Sequence, residues 1–193
     1  MDMKDAEALG LVKVDTLSLR TVDVIYDTLA MIGKDYEYIN PQKLNFSDPL
    51  VLESFQQGLT TGYFQFESPG MINTLTKMKP SSLDDLAACN ALFRPGSIKY
   101  IDNYIARKHG EEIYEYLHPD LEPILKITYG IIVFQEQLIE IGRLAGLRNP
   151  DLLRKATGKK DVKQMALVEP ELRQGLYQRG WQKEQVDTLW ENM

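Results

Sequence analysis

The chain has 193 residues, of which 44% are hydrophobic and 26% charged, the composition of a soluble globular domain or of part of a larger one. Its one cysteine, Cys89, excludes an intramolecular disulfide framework, and no apolar run is long enough to span a bilayer. The net charge of −6 does not suggest a nucleic-acid-binding protein, but the segment 154–163 (RKATGKKDVK) holds five basic residues and one acidic residue. Such a cluster is either a phosphate site or a solvated surface, and charge alone favours the surface.

The first predicted elements are a strand and a helix. Residues 9–15 (LGLVKVD) form a short apolar run that Lys13 interrupts and Asp15 closes, which predicts a buried strand. From Leu17 to Ile32 the apolar residues recur every three to five positions, which predicts an amphipathic helix.

The rest of the chain predicts short helices joined by polar loops, so the fold class is mainly α with a little β. Ser47 is predicted to cap the first of these helices, Ser68 stands at the entry of the second, and Ser81 or Ser82 caps the third. The predicted helical segments are 47–58, 71–78, 83–93, 98–108, 119–125, 131–144, 151–156, 171–179 and 183–192. Short helices with polar loops suit a scaffold that presents loops to a ligand.

Seven stretches of the sequence, taken in order, resemble the C-family DNA polymerases, the family of the bacterial replicative DNA polymerase III alpha subunit. The stretches are 9–20 (LGLVKVDTLSLR), 62–71 (GYFQFESPGM), 91–96 (ALFRPG), 107–110 (RKHG), 118–125 (HPDLEPIL), 128–137 (TYGIIVFQEQ) and 152–160 (LLRKATGKK). The chain departs from the family pattern at Thr16, at Ser18 and at the pair Ala156-Thr157.

The resemblance implies a fragment that runs from the last palm strand, residues 1–18, into the N-terminal part of the fingers domain, residues 19–193. The intact enzyme would carry out template-directed deoxynucleotidyl transfer in chromosomal or phage DNA replication. The fragment alone is expected to be inactive, because the aspartate-rich palm segment of the family is not in this sequence. The alternative is a non-catalytic split or truncated fragment that binds DNA or a partner polypeptide.

Asp15 is the candidate catalytic residue. Two-metal nucleotidyl transfer needs carboxylates around two Mg²⁺ ions, and one aspartate cannot hold both. The resemblance implies that Asp15 is the third of the family's catalytic aspartates and shares Mg²⁺ with residues absent from this chain. From the residues alone, Asp15 is interpreted as a cap for the helix that follows, and the catalytic role depends on the resemblance. No Mg²⁺ is expected to bind tightly to the fragment by itself.

The candidate nucleotide- and phosphate-binding residues are basic. Lys13 shares a strand face with Asp15, and Arg94 projects from the turn that Pro95 and Gly96 impose. Without the resemblance, Lys13 is an exposed strand lysine and Arg94 satisfies the last carbonyls of a helix. The resemblance implies a triphosphate contact for each. It also implies that some residues of the basic cluster face the nucleotide or the template–primer, with Arg154, Lys155, Lys159 and Lys160 as the candidates.

The remaining polar and aromatic motifs are interpreted as structural. Gln135, Glu136 and Gln137 are expected to connect helices by hydrogen bonds, and Cys89 to be a small buried hydrophobe. The aromatic group 63–66 is assigned to the core, although its rings could stack on bases. The expected partners of the intact enzyme are primer–template DNA, dNTP, the other palm, thumb and fingers segments and replisome subunits, with no membrane and a cytoplasmic location.

Overall fold

The computed structural model describes residues 2–12, 14, 16–159 and 162–193, apart from the side chains of Met3, Lys4, Glu7 and Lys159. The described chain is helical and contains no strand, so the mainly α class is confirmed. It divides into two compact units, residues 1–45 and residues 46–193. The palm–fingers boundary after residue 18 stays a prediction.

The first unit contains α1 (Met3–Ala8), α2 (Arg20–Met31) and a 3₁₀ turn at Tyr36–Ile39. The predicted helix from Leu17 is therefore shorter than expected, because the backbone is still extended at Leu19, which makes no side-chain capping bond. Leu29 is the one hydrophobic side chain that is buried among the described residues of this unit. The unit has correspondingly little core.

The strand predicted over residues 9–15 is absent from the described part of that segment, which forms a turn after α1 and then irregular backbone. Val12 is 85% exposed there, so the apolar run is not buried either. A strand needs a partner for its backbone N–H and C=O groups, and the described residues contain no second strand. Lys13 and Asp15 lie outside the described residues.

The second unit consists of short helices, and side chains fix where the first of them begin. The α-helices are α3 (Pro49–Gln56), α4 (Pro69–Met78), α5 (Leu83–Leu92), α6 (Ile101–Lys108), α7 (Glu122–Leu125), α8 (Gln135–Leu144), α9 (Pro150–Lys159), α10 (Val162–Gln178) and α11 (Lys183–Glu191). Ser68 caps α4 and Ser82 caps α5, each accepting a hydrogen bond from a backbone N–H of the first turn, as predicted. The N-cap of α3 is Asp48 and not Ser47, because the Asp48 carboxylate accepts from the N–H of Leu50.

Two hydrophobic clusters form the interior of the second unit. Helices α3 to α6 supply the first cluster, in which Leu75, Leu92 and Tyr104 are fully buried. Helices α7 to α11 supply the second, in which Leu153 and Leu172 are fully buried. Apolar residues at helical spacing explain this arrangement, since each helix has one face that must be covered.

The segment between α7 and α8 connects the two clusters. Ile131 belongs to the first cluster, and Ile132 packs against the second. The predicted helix over 131–144 begins later, at Gln135, because the side-chain oxygen of Gln137 accepts the N–H groups of Val133 and Phe134. The residues 131–133 are thereby held in an irregular conformation that lets neighbouring side chains enter different clusters.

Helix α10 is longer than the predicted segment 171–179 and contains Pro170 in its interior. Proline removes one hydrogen bond and usually ends or kinks a helix. The helix continues here because Val168, Leu172 and Leu176 all bury their side chains in the second cluster on either side of the proline. Tertiary packing therefore outweighs a local signal that predicts a helix boundary.

Candidate nucleotide-binding site

The structure describes some of the predicted site residues and not others. Asp15, Lys13 and Lys160 lie outside the described residues, and Lys159 is described only as the last backbone position of α9. Arg94, Arg154 and Lys155 are described completely. The geometry of the candidate site therefore concerns these three cations.

Arg94 lies in the tight turn between α5 and α6. Its N–H donates to the carbonyl of Leu92 at 2.8 Å, and its own carbonyl accepts from Ser97 and Ile98 at 3.1 and 3.0 Å. Backbone N–H groups thus provide the hydrogen bonds around the end of α5. The Arg94 side chain is exposed, and within the described part of the chain it makes no side-chain hydrogen bond or ion pair. A guanidinium in this position is available to an anionic ligand.

Arg154 and Lys155 share one carboxylate on α9. Arg154 Nε lies 2.6 Å from one oxygen of Asp151, and Lys155 Nζ lies 2.8 Å from the other. Hydrogen bonds from these two cations lower the pKa of Asp151 to about 2, so it stays ionised at neutral pH. The two cations share the Asp151 carboxylate and the Glu136 carboxylate also acts on Arg154, so the positive charge that remains is weaker than that of two free cations.

The glutamines next to this cluster connect helices, as predicted. Arg154 also donates to the side chain of Gln135 at 3.2 Å, which ties α9 to the start of α8. The Gln137 amide is 4% exposed and donates to the Ile124 carbonyl and the Thr128 hydroxyl at 3.2 and 2.8 Å. Gln135 therefore connects α8 to α9, and Gln137 connects α8 to the chain around α7.

The basic residues of the 107–110 motif are used inside the fold. Lys108 Nζ lies 2.8 Å from Asp85 Oδ2, and the two side chains are 8% and 5% exposed. Tyr104 donates to the other oxygen of Asp85 at 3.2 Å. Burial raises the pKa of Asp85, but hydrogen bonds from Lys108 and Ser81 outweigh it and hold the pKa below its ordinary value. This buried ion pair joins α5 to α6.

Sequence reasoning missed this ion pair. Its one signal is Asp85, one of two carboxylates in the first turn of α5, and the general preference for acidic residues at a helix start explains both. Nothing in the sequence indicates which cation meets it 23 positions later.

The 118–125 motif is also structural. Asp120 accepts hydrogen bonds from Arg179 Nε at 3.0 Å and Trp181 Nε1 at 3.3 Å. Burial by itself would raise the pKa of Asp120, but the hydrogen bonds from Arg179 and Trp181 have the larger effect. The pKa of Asp120 therefore lies below its ordinary value. The His118 ring stacks on Trp181 with centroids 4.5 Å apart. The motif therefore fastens the chain before α7 to the chain after α10.

The aromatic group 63–66 is only partly in the core. Tyr63 and Phe66 pack on Phe55, with ring centroids 4.9 and 5.2 Å from it. Tyr63 and Phe64 are 36% and 48% exposed, so their assignment to the core was wrong, whereas Phe66 is partly buried and packs against the first cluster. The prediction for Cys89 is confirmed: it is fully buried, and burial raises its pKa to about 12.

A cleft of about 290 Å³ opens where the two clusters of the second unit meet. Its lining is mixed, with Leu121, Leu125 and Ile131 among the apolar residues and Arg107 and Tyr116 among the polar ones. Arg107 is already bonded there, to Glu112 at 2.8 Å and to a backbone carbonyl. The cleft therefore offers an incoming anion little free positive charge.

The described residues were compared with the requirements of a metal site and of a membrane span. Among the residues described, no three His, Cys, Asp or Glu side chains converge in a way that could hold a metal ion. None of the described helices combines the length and apolarity that crossing a membrane requires.

A helical scaffold that exposes a guanidinium at a fixed turn is consistent with an anion-binding domain, and comparisons with known proteins identify the family. A profile described as "Bacterial DNA polymerase III alpha subunit finger domain" matches residues 21–180. The chain belongs to this family, the finger domains of bacterial DNA polymerase III alpha subunits.

Curated relatives carry the same name. The chain is 43% identical to the DNA polymerase III subunit alpha of Aquifex aeolicus, an alignment that covers 100% of this chain and 17% of that protein. It is 39% identical to the DNA polymerase III subunit alpha of Staphylococcus aureus, over 94% of this chain and 18% of that protein. The chain thus spans less than a fifth of the length of these relatives.

Proposed function

We propose that this chain is the part of a DNA-directed DNA polymerase that binds the triphosphate of the incoming nucleotide. The observation that carries the proposal is the exposed guanidinium of Arg94, which has no partner among the described residues, in a chain of the finger-domain family. Arginine's planar fork donates two parallel hydrogen bonds to phosphate oxygens, and the fixed turn limits the rotational freedom that binding would remove. Lys13 acts on the same triphosphate.

The basic face of α9 forms the second part of this proposed site. Arg154 and Lys155, with Lys159 and Lys160, contact the nucleotide or the backbone of the primer–template. The positive charge that remains around Asp151 supports this role. Such contacts release counterions, so binding weakens as the salt concentration rises.

In the longer enzyme, Asp15 would hold Mg²⁺ together with carboxylates that lie outside this chain. Its carboxylate oxygens are the hard ligands that Mg²⁺ prefers, and one such group contributes only part of a two-metal site. When bound, the metal ions would activate the primer 3′ hydroxyl and neutralise charge on the triphosphate. The chain alone would therefore be inactive.

The proposed context is a longer cytoplasmic enzyme in which residues 9–15 pair with other palm strands. A neighbouring strand would supply the backbone partners that the described residues lack. Residues 1–18 would then close the palm, and residues 19–193 would form the first part of the fingers. Its partners would be primer–template DNA, dNTP, the remaining palm, thumb and fingers segments, and replisome subunits.

Reconstitution tests this proposal. We would mix the chain with polypeptides that carry the missing palm and fingers segments of a relative, and measure extension of a labelled primer. We expect extension that Asp15→Asn abolishes. We expect Arg94→Ala to raise the KM for dNTP at least tenfold, because a charge-assisted bidentate contact is lost.

The control is Arg143→Ala, which removes another exposed arginine of the same unit, one paired with Glu140 on its own helix. It should extend primers like the wild type. Extension that survives Asp15→Asn and Arg94→Ala unchanged would refute the proposed roles. Salt-sensitive DNA binding without any restored extension would instead support a non-catalytic DNA-binding module.

A further inference from the structure

The loop between α3 and α4 is held in one conformation by its own hydrogen bonds. Thr60 is fully buried, and its hydroxyl donates to the Phe66 carbonyl at 2.6 Å. Two backbone bonds of 2.9 Å follow, from Tyr63 N–H to Thr60 and from Phe66 N–H to Tyr63. Both ends of the aromatic segment are therefore fixed, and its middle can move little.

Phe64 projects from this fixed segment into solvent. The rings on either side of it, Tyr63 and Phe66, are anchored on Phe55. Phe64 is 48% exposed and has no ring partner among the described residues. Single exposed hydrophobic residues are common and need no explanation by themselves. The backbone beside this one supplies a second, independent observation.

Gln65 adopts a left-handed backbone conformation, with φ of 67°. A residue other than glycine is strained there, and such strain persists only where surrounding contacts impose it. The contact in this case is a hydrogen bond of 2.6 Å from the Asn90 amide to the Gln65 side-chain oxygen. The strained residue, the direct neighbour of Phe64, is thus tied to α5.

The same tie brings the loop next to the turn that holds Arg94. Asn90 lies in the last turn of α5, four positions before Arg94. The Phe93 ring packs against Gly70 at the start of α4, where an added Cβ would lie only 2.7 Å from it. The segment that leads into α4 therefore contacts the end of α5 at two points, Gln65 against Asn90 and Gly70 against Phe93. An exposed ring and an exposed guanidinium in one neighbourhood match the two chemical parts of a nucleotide.

We propose that Phe64 is a stacking platform for a nucleobase, held by the Gln65–Asn90 hydrogen bond beside Arg94, whose guanidinium takes a phosphate. The inference rests on the proposed function, which names residues for the phosphates, and it adds a residue that contacts the base. Phenylalanine stacks on any base, because every base has a π-face, so the platform is tolerant of sequence. The base belongs either to a free nucleotide or to single-stranded DNA.

Two binding titrations of the 193-residue chain distinguish these sources. The probes are dTTP and a twelve-residue oligothymidylate, at low salt and without added metal. We expect Phe64→Ala to weaken binding of one or both probes by about five- to a hundredfold, the loss typical of one stacked base. Phe64→Trp should bind like the wild type, and its added indole fluorescence should be quenched by the probe.

The matched control is Phe46→Ala, which removes a phenylalanine that is 50% exposed elsewhere in the same unit. It should bind both probes like the wild type, and thermal melts of all variants would establish that they are folded. If Phe64→Ala did not fold, quenching of the added indole fluorescence in Phe64→Trp would by itself decide whether a base stacks at this position. Stacking is refuted by unchanged binding in Phe64→Ala, or by an unquenched indole in Phe64→Trp.

Arg94→Ala separates the two proposals. Weakened binding in Arg94→Ala with unchanged binding in Phe64→Ala would overturn the stacking site and leave the proposed triphosphate contact standing. Weakened binding in Phe64→Ala alone would support stacking and count against the triphosphate role of Arg94. Wild-type chain that binds neither probe would overturn both.

Discussion

At the scale of single residues, charge has two different uses in this chain. Lys108 and Asp85 are buried against each other, whereas Arg94 is exposed without a partner among the described residues. A buried cation costs several kcal/mol to desolvate unless a carboxylate compensates it. An exposed cation keeps its hydration and its freedom to meet a ligand. Burial, more than residue type, therefore separates the structural cation Lys108 from the candidate ligand-binding cation Arg94.

The buried ion pair gives a stability prediction. Lys108→Met should lower the free energy of unfolding by about 3–5 kcal/mol, because it leaves the Asp85 carboxylate buried without its cation. Urea denaturation followed by circular dichroism measures the change. Lys126→Met is the control, since its pair with Glu122 spans 3.9 Å and both side chains are exposed. That change should stay within about 0.5 kcal/mol, and equal losses in the two variants would contradict the argument.

Individual residues also show the limits of sequence reasoning about the site. The sequence indicated Arg94, because a helix followed by arginine, proline and glycine predicts a side chain on a fixed turn. It indicated Arg154 and Lys155 as a cluster, but not that Asp151 sits between them. It could not separate Phe64 from its aromatic neighbours, since the contacts that Tyr63 and Phe66 make with Phe55 depend on the tertiary structure.

At the scale of elements, helix α10 packs unusually close to the end of α8. A Cβ added to Gly175 would lie 1.6 Å from the carbonyl oxygen of Ala145, a distance that no two non-bonded atoms can adopt. Gly175 is therefore required by the close approach of two backbones. Helix propensity alone would favour alanine at this position by about 1 kcal/mol.

Gly175→Ala should consequently destabilise the protein by about 2 kcal/mol or more, because the two helices must separate. Gly158→Ala is the matched control, as Gly158 lies in α9 and an added Cβ would meet nothing within 4 Å. That variant should gain a few tenths to about 1 kcal/mol from helix propensity. Thermal melts of the two variants test the prediction, and a stabilised Gly175→Ala would contradict the packing described here.

Element boundaries followed the sequence at two serine caps and departed from it at the start of α8 and in the length of α10. Ser68 and Ser82 cap their helices because a serine oxygen close to free N–H groups is a local interaction. The start of α8 was missed because Gln137 binds residues 133 and 134 from inside the helix. The length of α10 was missed because Pro170 is tolerated where both flanks are buried.

At the scale of the whole molecule, the two units differ in how much interior they have. In the first, Leu29 is the buried hydrophobic among the described residues, and Val24 on the same helix is 61% exposed. In the second, many side chains are fully buried in two clusters. Local unfolding costs little where few apolar contacts are lost.

Hydrogen exchange should therefore report two levels of protection. Amides of α2 should exchange through local opening that costs close to 0–2 kcal/mol, while those of α4 approach the global free energy of unfolding. Mass spectrometry of peptides from 20–31 and 71–78 measures both in one experiment. Equal protection in the two peptides would mean that α2 has a covering surface that the described contacts do not reveal.

The sequence alone determined the helical class, the family and most helix starts, because periodicity, caps and short motifs are local signals that neighbouring residues carry. Only the tertiary structure decided which charged side chains form buried ion pairs, which rings of 63–66 are exposed to water and where two backbones nearly touch. Those outcomes depend on residues far apart in the chain, such as Asp85 and Lys108. Packing brings such residues into contact, and the sequence around each of them does not indicate its partner.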